Sequence, residues 1–135
     1  MEIIVPGIPA PQGSKRHVGN GRLVESSKAL RPWRQAVTYA AIQAHEGRDP
    51  FDGPLHLSCE FRFPRLSSHI GKHGLKPGAP HYKISAPDTD KLTRAICDAL
   101  ADAGIYRNDA QIAIIEAEKV YHDQPGVVIY IGPVL

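Results

Sequence analysis

The pattern of apolar positions predicts two amphipathic helices. In residues 31–46, apolar side chains recur at offsets of 0, 3, 4, 7, 8 and 11 from Trp33, and residues 88–103 repeat these offsets from Leu92. That spacing places the apolar side chains on one face of a helix. Gly104 directly follows the second pattern, and a glycine at this position is typical of a helix end.

Four further segments have the pattern of β-strands. Residues 55–63 alternate between apolar and polar side chains, which predicts a half-buried strand. Residues 2–8 are short and β-branched with Pro6 inside, which favours a strand at the edge of a sheet. Residues 111–121 and 126–133 are two β-rich runs separated by a short turn sequence, HDQPG, so we expect them to form a hairpin.

The order of these elements predicts the fold class. They follow one another as β-α-β-loop-α-β-β, and 135 residues is a typical length for one domain. We expect a single α/β (α+β) domain over residues 1–135, with a mixed four-stranded sheet and both helices on one face. Residues 9–29 and 64–86 are rich in Pro and Gly and are expected to be loops. Loops as long as the second are often functional.

Charge divides the chain into a basic part and an acidic part. Residues 1–87 hold 12 Lys and Arg against 6 Asp and Glu, whereas residues 88–135 hold 4 against 8. The net charge of +2 therefore conceals a strongly basic segment. Such an asymmetry favours a polyanionic partner, and the alternative is an ordinary solvated surface.

Cysteine content and hydropathy indicate the compartment. The chain has two cysteines, Cys59 and Cys97, which we expect to be small buried apolar residues rather than a disulfide. This usage is typical of the reducing cytoplasm. The chain contains no run of about 18 apolar residues, and its first residues lack the basic and apolar regions of a signal peptide. We expect a cytoplasmic protein with no membrane partner.

Three carboxylates form the most informative group. Asp88 and Asp90 lie at the start of the second predicted helix, and Asp109 lies in the turn that follows it. A helix and a returning loop could bring the three together, where they would repel one another unless a cation lies between them. Mg²⁺ favours a few carboxylates plus waters. Beside a phosphodiester, such a metal generates hydroxide and stabilises charge on the phosphoryl oxygens.

Simpler roles for these acids remain open. Asp88 or Asp90 could cap the helix, since acids are favourable in a first turn. Asp90 with Arg94, and Arg94 with Asp98, are four residues apart and could form surface ion pairs. A calcium-binding loop fits poorly, because Lys91 follows where further oxygen ligands and a glycine are needed.

The histidines of the long loop suggest a second, weaker metal hypothesis. His69 and His73 are four residues apart and His81 follows, a spacing that could hold zinc on a helix. However, neighbouring Gly and Pro residues argue against a helix here, and no cysteine is near. Contacts with phosphates are the better hypothesis for these residues.

At this point the residues carry a resemblance to a known family. The chain resembles the RusA family of Holliday-junction resolvases, and in particular the versions carried by bacteriophages and prophages. The matching segments are Pro9-x-Pro11-Gln12-Gly13-Ser14-Lys15-Arg16, Pro87-Asp88-x-Asp90-x-Leu92-x-x-Ala95-x-x-Asp98-Ala99-Leu100 and Gly104-x-Tyr106-x-Asn108-Asp109-Ala110-Gln111-Ile112. They lie in the helix-turn-strand context in which the motif is expected.

The resemblance implies an activity and a set of site residues. RusA-like proteins are small homodimeric endonucleases that depend on Mg²⁺, with Mn²⁺ as a substitute, and cut four-way DNA junctions by paired nicks. By motif position, the family's metal-binding carboxylates fall on Asp88, Asp90 and Asp109. Its essential lysine falls on Arg94, with Lys91 nearby as a second candidate for a catalytic cation.

Three positions depart from the family pattern: Arg94, Asn108, and Lys91, which stands where the family often has Asn. Arg94 keeps the positive charge and can clamp a phosphate, but it cannot readily transfer a proton. If the family's lysine transfers a proton, Lys91 would have to replace it. Asn108 stands where the family often has Asp, so the paired acid before Asp109 is lost; we expect this loss to matter less, because Asp109 remains.

Two basic segments, the first at residues 14–34 and the second at residues 64–87, are the expected DNA-binding surface. Phosphate contacts position a protein on DNA, and they make its affinity fall steeply with salt. Glycines in the first loop allow the backbone to approach DNA closely. The candidate contacts are Ser14, Lys15, Arg16, Arg22, Lys28, Arg31, Arg34, Lys72, Lys76 and Lys83.

Three other hypotheses remain. The protein could bind four-way junctions without cutting them, since the lysine is replaced by Arg94. It could be a less selective nuclease acting on flaps or forks. It could also be a small-molecule phosphohydrolase, although such an enzyme would not need the basic loops.

Two aromatic residues could belong to the core or to the binding surface. Trp33 is expected in the core, whereas Tyr106 could pack in the fold or stack on an unpaired base.

Overall fold

The computed structural model describes residues 1–13, 15–17, 23–25 and 28–135, and for 15–17 and 23–25 it describes the backbone only. Its helices and strands include all six of the predicted elements. In chain order these are β1 (Glu2–Pro6), β2 (Lys15–His17), β3 (Leu23–Glu25), α1 (Leu30–His45), β4 (Leu55–Phe63), β5 (Ile70–Gly71), β6 (Gly74–Leu75), α2 (Thr89–Asp102), β7 (Ile112–Tyr121) and β8 (Gly126–Pro133).

The central sheet is mixed and four-stranded, as predicted. Its strand order is β1-β8-β4-β7, with β4 parallel to β7 and antiparallel to β8. β1 pairs antiparallel with β8 and lies at one edge, as the proline in its sequence indicated. β7 forms the other edge, and the candidate site lies beside it.

The predicted hairpin between β7 and β8 is wrong. The two strands do not pair, because β4 lies between them and is hydrogen-bonded to both. β4 carries Leu55, Leu57 and Phe61, which are completely buried, so the central position suits it best. A short turn shows that the chain reverses direction, but it cannot exclude the insertion of an earlier strand.

Both helices pack on the same face of the sheet. Alternate residues of β4 point toward them, and Trp33 of α1 and Ile96 of α2 join Leu57 of β4 and Ile129 of β8 in one buried cluster. The expectation that Trp33 belongs to the core is confirmed. Ala36, at offset 3 from Trp33, is predicted on the apolar face of α1, but it is exposed, because the buried stripe of that helix follows Trp33, Val37 and Ala41.

The helix ends follow the sequence signals closely. Pro32 lies in the first turn of α1, which begins at Leu30. Gly104 follows α2 with φ of 76°, the left-handed conformation that favours glycine at a helix end.

Of the two cysteines, Cys59 is buried and Cys97 partly buried, and both are free.

The two predicted loops contain short strands that the sequence did not indicate. β2 pairs with β3 within 9–29, and β5 pairs with β6 within 64–86. Strands of two or three residues are too short to show a period, which is why the pattern misses them.

Neither of the helices that the structure describes is long and apolar enough to cross a bilayer.

Candidate active site

Asp88 stands at the N-terminus of α2 without capping it through its side chain. Its backbone is extended and its carbonyl accepts the first helical hydrogen bond, from the Leu92 N–H at 3.0 Å, but its carboxylate accepts no capping hydrogen bond. The Oδ2 atom lies 3.6 Å from Lys91 Nζ instead, and both side chains are solvent-exposed. The capping interpretation therefore does not account for this carboxylate.

A lysine of the edge strand fixes the segment that leads into α2. Lys119 Nζ donates hydrogen bonds to the carbonyl oxygens of Ser85 and Pro87, each at 2.8 Å. The Lys83 N–H donates to the Lys119 carbonyl at 3.0 Å. Both the backbone and the side chain of Lys119 therefore hold residues 83–87 against β7. Nothing in the sequence motif points to Lys119, because its partners are backbone atoms more than thirty residues away.

Asp109 is presented by a tightly capped turn. Residues Asp109–Gln111 form one turn of 3-10 helix, and Asn108 Oδ1 accepts a hydrogen bond from the Ala110 N–H at 2.8 Å. Gln111 Oε1 accepts from the Asn108 N–H in return, which completes a capping box. The Asn108 departure is thus compatible with the turn, since an amide caps as well as a carboxylate does.

Gln111 also anchors this turn to the rest of the fold. Its Nε2 atom donates to the carbonyl oxygens of Phe51 at 3.0 Å and Gly53 at 3.1 Å. Arg107 forms an ion pair with Asp52 on the same segment. Asn108 and Gln111 have the spacing of a capping box, so the sequence did contain a signal for this arrangement.

A cleft of about 650 Å³ between α2 and β7 collects most of the predicted catalytic residues. Asp90 and Arg94 enter it from α2, and Asp109 enters it from the turn before β7. Asp88 and Lys91 do not line it. The remaining lining residues are Thr89, Thr93, Cys97, Asp98, Ile115 and Ala117.

The donor chemistry of the cleft suits a hard cation. In the ranges that the structure describes, no three His, Cys, Asp or Glu side chains come close enough together to hold a metal ion. Two of the three expected ligands, Asp90 and Asp109, nevertheless share the cleft, and Asp98 is a third carboxylate in its lining. Mg²⁺ is commonly bound by one or two carboxylates with waters in its other positions. The residues present therefore fit such an ion.

Carboxylates of the cleft act on ionisable groups beside them. Burial, together with the nearby negative charges of Asp109 and Asp98, raises the pKa of the Cys97 thiol to about 11. The pKa of Tyr106 is also raised, mainly by burial, with Cys97 and the carboxylates contributing. Burial disfavours any charge, whereas the contribution of Asp109 and Asp98 is the part that also favours a bound cation.

Tyr106 packs beneath the cleft rather than opening onto it. The side chain is 2% exposed, and its hydroxyl donates to the Cys97 carbonyl. It therefore contributes to the core, and the stacking role considered for it does not fit its burial.

Arg94 lies where the N-terminal segment crosses α2. The Gln12 N–H donates to the Lys91 carbonyl at 3.0 Å, and a side chain at Gly13 would come within 3.3 Å of Arg94 Nη1. Among the described residues, neither the Asp90–Arg94 pair nor the Arg94–Asp98 pair is formed. The guanidinium is exposed and borders the cleft.

The structure describes only some of the DNA contacts that are predicted in the first basic segment. Ser14 and Arg22 lie outside the described residues, and Lys15 and Arg16 belong to β2, of which only the backbone is described. Lys28 and Arg31 are exposed beside the start of α1. Arg34 is half-buried and pairs with Asp102 at 2.8 Å, so part of its charge is used within the fold.

The three lysines predicted to contact DNA in the second basic segment differ in their surroundings. Lys72 lies between β5 and β6, Lys76 directly follows β6, and both are exposed. Lys83 donates to Ser85 Oγ at 2.9 Å and lies over the rings of Phe63 and Tyr121, so it has structural contacts.

The histidines of this segment do not form a cluster. His69 is buried against Tyr121, and His81 packs on Tyr82. The described residues therefore give no support to the zinc hypothesis.

Comparison with known proteins agrees with the motif. The family model described as endodeoxyribonuclease RusA matches residues 6–132, which include both helices, β4, β7 and the residues that line the cleft. No curated protein matches the chain closely. The match covers nearly the whole chain, and we conclude that the chain belongs to the RusA endodeoxyribonuclease family.

Proposed function

We propose that this protein is a Mg²⁺-dependent endonuclease that resolves four-way DNA junctions by paired nicks. The observation that carries the proposal is the cleft between α2 and β7, where two family-motif carboxylates, Asp90 and Asp109, face Arg94. Membership of the RusA family supports cleavage of DNA at junctions. The role of each residue follows from its place around the cleft.

The carboxylates would hold the metal ion. Asp90 and Asp109 are its proposed ligands within the cleft, and Asp88 lies at the start of the same helix with its carboxylate exposed. Mn²⁺ would substitute, because it accepts similar oxygen ligands. A divalent cation in such a site lowers the pKa of water and stabilises charge on the phosphoryl oxygens.

Arg94 would bind the scissile phosphate. Its guanidinium has five donors in a planar arrangement that matches two phosphate oxygens, and it keeps its charge at any working pH. Since it cannot give up a proton readily, its proposed role is orientation and charge stabilisation. Lys91, 3.6 Å from the Asp88 carboxylate, would add positive charge next to the same helix turn.

The first test compares nicking by the wild-type protein and Asp90→Asn. The substrates are a labelled synthetic four-way junction and a linear duplex of the same arms, each with Mg²⁺ and with EDTA. We expect symmetric nicks on the junction only, with Mg²⁺ only. Asp90→Asn should lower the nicking rate at least about a hundredfold, because a neutral amide is a much weaker ligand for Mg²⁺. It should retain junction binding.

A matched variant controls for charge alone. Asp123→Asn removes one negative charge from an exposed residue between β7 and β8, outside the cleft, and should nick at the wild-type rate. An Asp90→Asn protein that nicks as fast as Asp123→Asn would contradict the assignment of the metal site.

The replacement of the family's lysine by Arg94 favours a second candidate function, a protein that binds junctions without cutting them. The same assay separates the two. Tight junction binding with no nicks in Mg²⁺ or Mn²⁺ would support the non-catalytic function. Cleavage of flaps and linear duplex at comparable rates would instead support a less selective nuclease.

A further inference from the structure

A second cleft, of about 720 Å³, lies on the side of α1 that faces away from the sheet. Its lining combines exposed apolar side chains, Tyr39 and Ile42, with the cationic side chains Lys28, Arg31 and Arg34. We call it the α1 groove. Neither the motif nor the catalytic cleft accounts for it.

The apolar part of the α1 groove is unusual for a solvent-facing helix surface. Tyr39 is 67% exposed and Ile42, one helical turn later, is 47% exposed, while the opposite face of α1 buries Trp33, Val37 and Ala41. The groove therefore holds a flat aromatic ring beside an aliphatic side chain, both accessible. An accessible tyrosine of this kind is suited to stacking against another planar group.

The charges around the groove select the kind of partner. Arg34 pairs with Asp102, which lines the same groove, at 2.8 Å. Lys28 and Arg31 lie exposed at its rim, so the surroundings are cationic. An aromatic platform between cations is the arrangement by which proteins hold single-stranded nucleic acid.

Residues 12–13 lie between the α1 groove and the cleft beside α2. Gln12 lines the groove, and its Oε1 atom lies 3.5 Å from Arg34 Nη1. The Gln12 N–H is bonded to Lys91 on α2, and Gly13 lies against Arg94. A DNA strand that passes from one site to the other would therefore cross residues 12–13 and remain in contact with protein.

We propose that the α1 groove binds an unpaired nucleotide of the branched DNA substrate. The base stacks on Tyr39 against Ile42, and the flanking phosphates contact Lys28 and Arg31. The inference rests on the proposed function, because it assigns a second contact for the same substrate. It also gives a source of selectivity: the branch point of a junction can supply an unpaired base, whereas a linear duplex must first unstack one.

The test compares binding by Tyr39→Ala, Tyr39→Phe and the control Gln43→Ala, which alters another exposed side chain of α1 outside the groove. Dissociation constants are measured in EDTA, so that no cleavage occurs, for a four-way junction and for a linear duplex of the same arms. Loss of one base stack should weaken junction binding about tenfold in Tyr39→Ala. Duplex binding should stay unchanged, and Tyr39→Phe and Gln43→Ala should match the wild type.

Two further measurements locate the contact. Photo-crosslinking with 5-iodouracil at the branch point should label Tyr39, and the same base in the middle of an arm should not. Lys28→Gln combined with Arg31→Gln should lower the slope of log Kd against log salt by about 1.4–1.8, the contribution of two phosphate contacts.

Several outcomes would overturn the inference. One is an equal loss of junction and duplex affinity in Tyr39→Ala, and another is no loss at all in a protein that prefers junctions. A change in oligomeric state in Tyr39→Ala, seen by sedimentation, would assign the groove to contact between copies of the chain. A wild-type protein that shows no preference for junctions over duplex would instead remove the proposed function together with this inference.

Discussion

Single side chains in this protein have roles that their chemistry alone does not determine. Asp88 and Asp90 are two residues apart at one helix start, yet only Asp90 lines the cleft, while Asp88 lies beside Lys91. Asn108 replaces a carboxylate of the family pattern, and its amide caps the turn that presents Asp109. The identity of a residue indicates the chemistry available, and its position on the helix or turn decides which of its roles is used.

The partly buried thiol of Cys97 provides a probe of the cleft at the residue scale. Burial, with Asp109 and Asp98, raises its pKa to about 11, so at pH 8–9 it is almost entirely the unreactive thiol. Alkylation should therefore be slow at pH 8 and accelerate as the pH rises toward that pKa. Asp109→Asn removes one of the causes and should lower the pKa, giving faster alkylation at pH 9.

The measurement is the alkylation rate against pH in a Cys59→Ala background, so that one thiol is followed. Asp123→Asn, which leaves the cleft lining unchanged, should give the profile of the parent protein. If Asp109→Asn leaves the profile unmoved, Asp109 does not lie close enough to Cys97 to share the cleft with it.

Elements, rather than residues, explain how the site is assembled. The carboxylates proposed as metal ligands come from the first turn of α2 and the turn before β7, and side chains outside the cleft lining hold both turns in place. Lys119 binds the carbonyl oxygens before α2, and Gln111 binds those of the segment before β4. The geometry of the cleft therefore depends on positioning residues outside it.

Lys119→Met should loosen the start of α2. Loss of its two hydrogen bonds, from a charged but partly exposed donor, should lower the free energy of unfolding by about 1 kcal/mol. The nicking rate should fall more than junction affinity, because Asp90 moves with the helix start while the basic surface is kept. Urea unfolding and single-turnover nicking measure the two effects.

Conservative and neighbouring variants make this result specific. Lys119→Arg keeps a charged donor and should recover part of the nicking rate, and Glu118→Gln, an exposed neighbour on β7, should leave both quantities unchanged. A Lys119→Met protein with wild-type nicking would show that the fastening of α2 does not control the site.

The limits of sequence-based prediction are clearest at this scale. The alternation of 55–63 and the spacing from Leu92 predict β4 and α2 almost to the residue, because burial of one face dictates their period. The β7–β8 hairpin is wrong because strand order depends on β4, more than fifty residues earlier. The role of Lys119 could not be predicted for the same reason, because its partners are backbone carbonyls far away in the sequence.

At the scale of the whole molecule, one cleft lies beside α1 and the other beside α2. The charge asymmetry of the sequence anticipated a polyanionic partner, and the structure adds that some of those cations, such as Arg34 and Lys83, also have contacts within the fold. The described residues of one chain form one cleft of this composition. If that cleft is the nicking site, as proposed, two nicks within one binding event need two chains.

The expected homodimer can be tested by mixing subunits. On a plasmid with an extruded cruciform, two nicks within one binding event give a linear product, and one nick gives a nicked circle. Wild-type protein should linearise the plasmid. Exchanged mixtures with excess Asp90→Asn should shift the product to nicked circles, because most wild-type subunits would then be paired with an inactive partner in a twofold dimer.

Mixtures with Asp123→Asn control for dilution and exchange, and they should continue to give linear product. Sedimentation at the assay concentration should show a species of about twice the 14.7 kDa chain mass. If Asp90→Asn only reduces the total rate, with the ratio of linear to nicked product unchanged, the active unit does not contain two cooperating clefts. Paired cleavage would then have to arise from independent binding events, and twofold symmetry would not be the basis of the reaction.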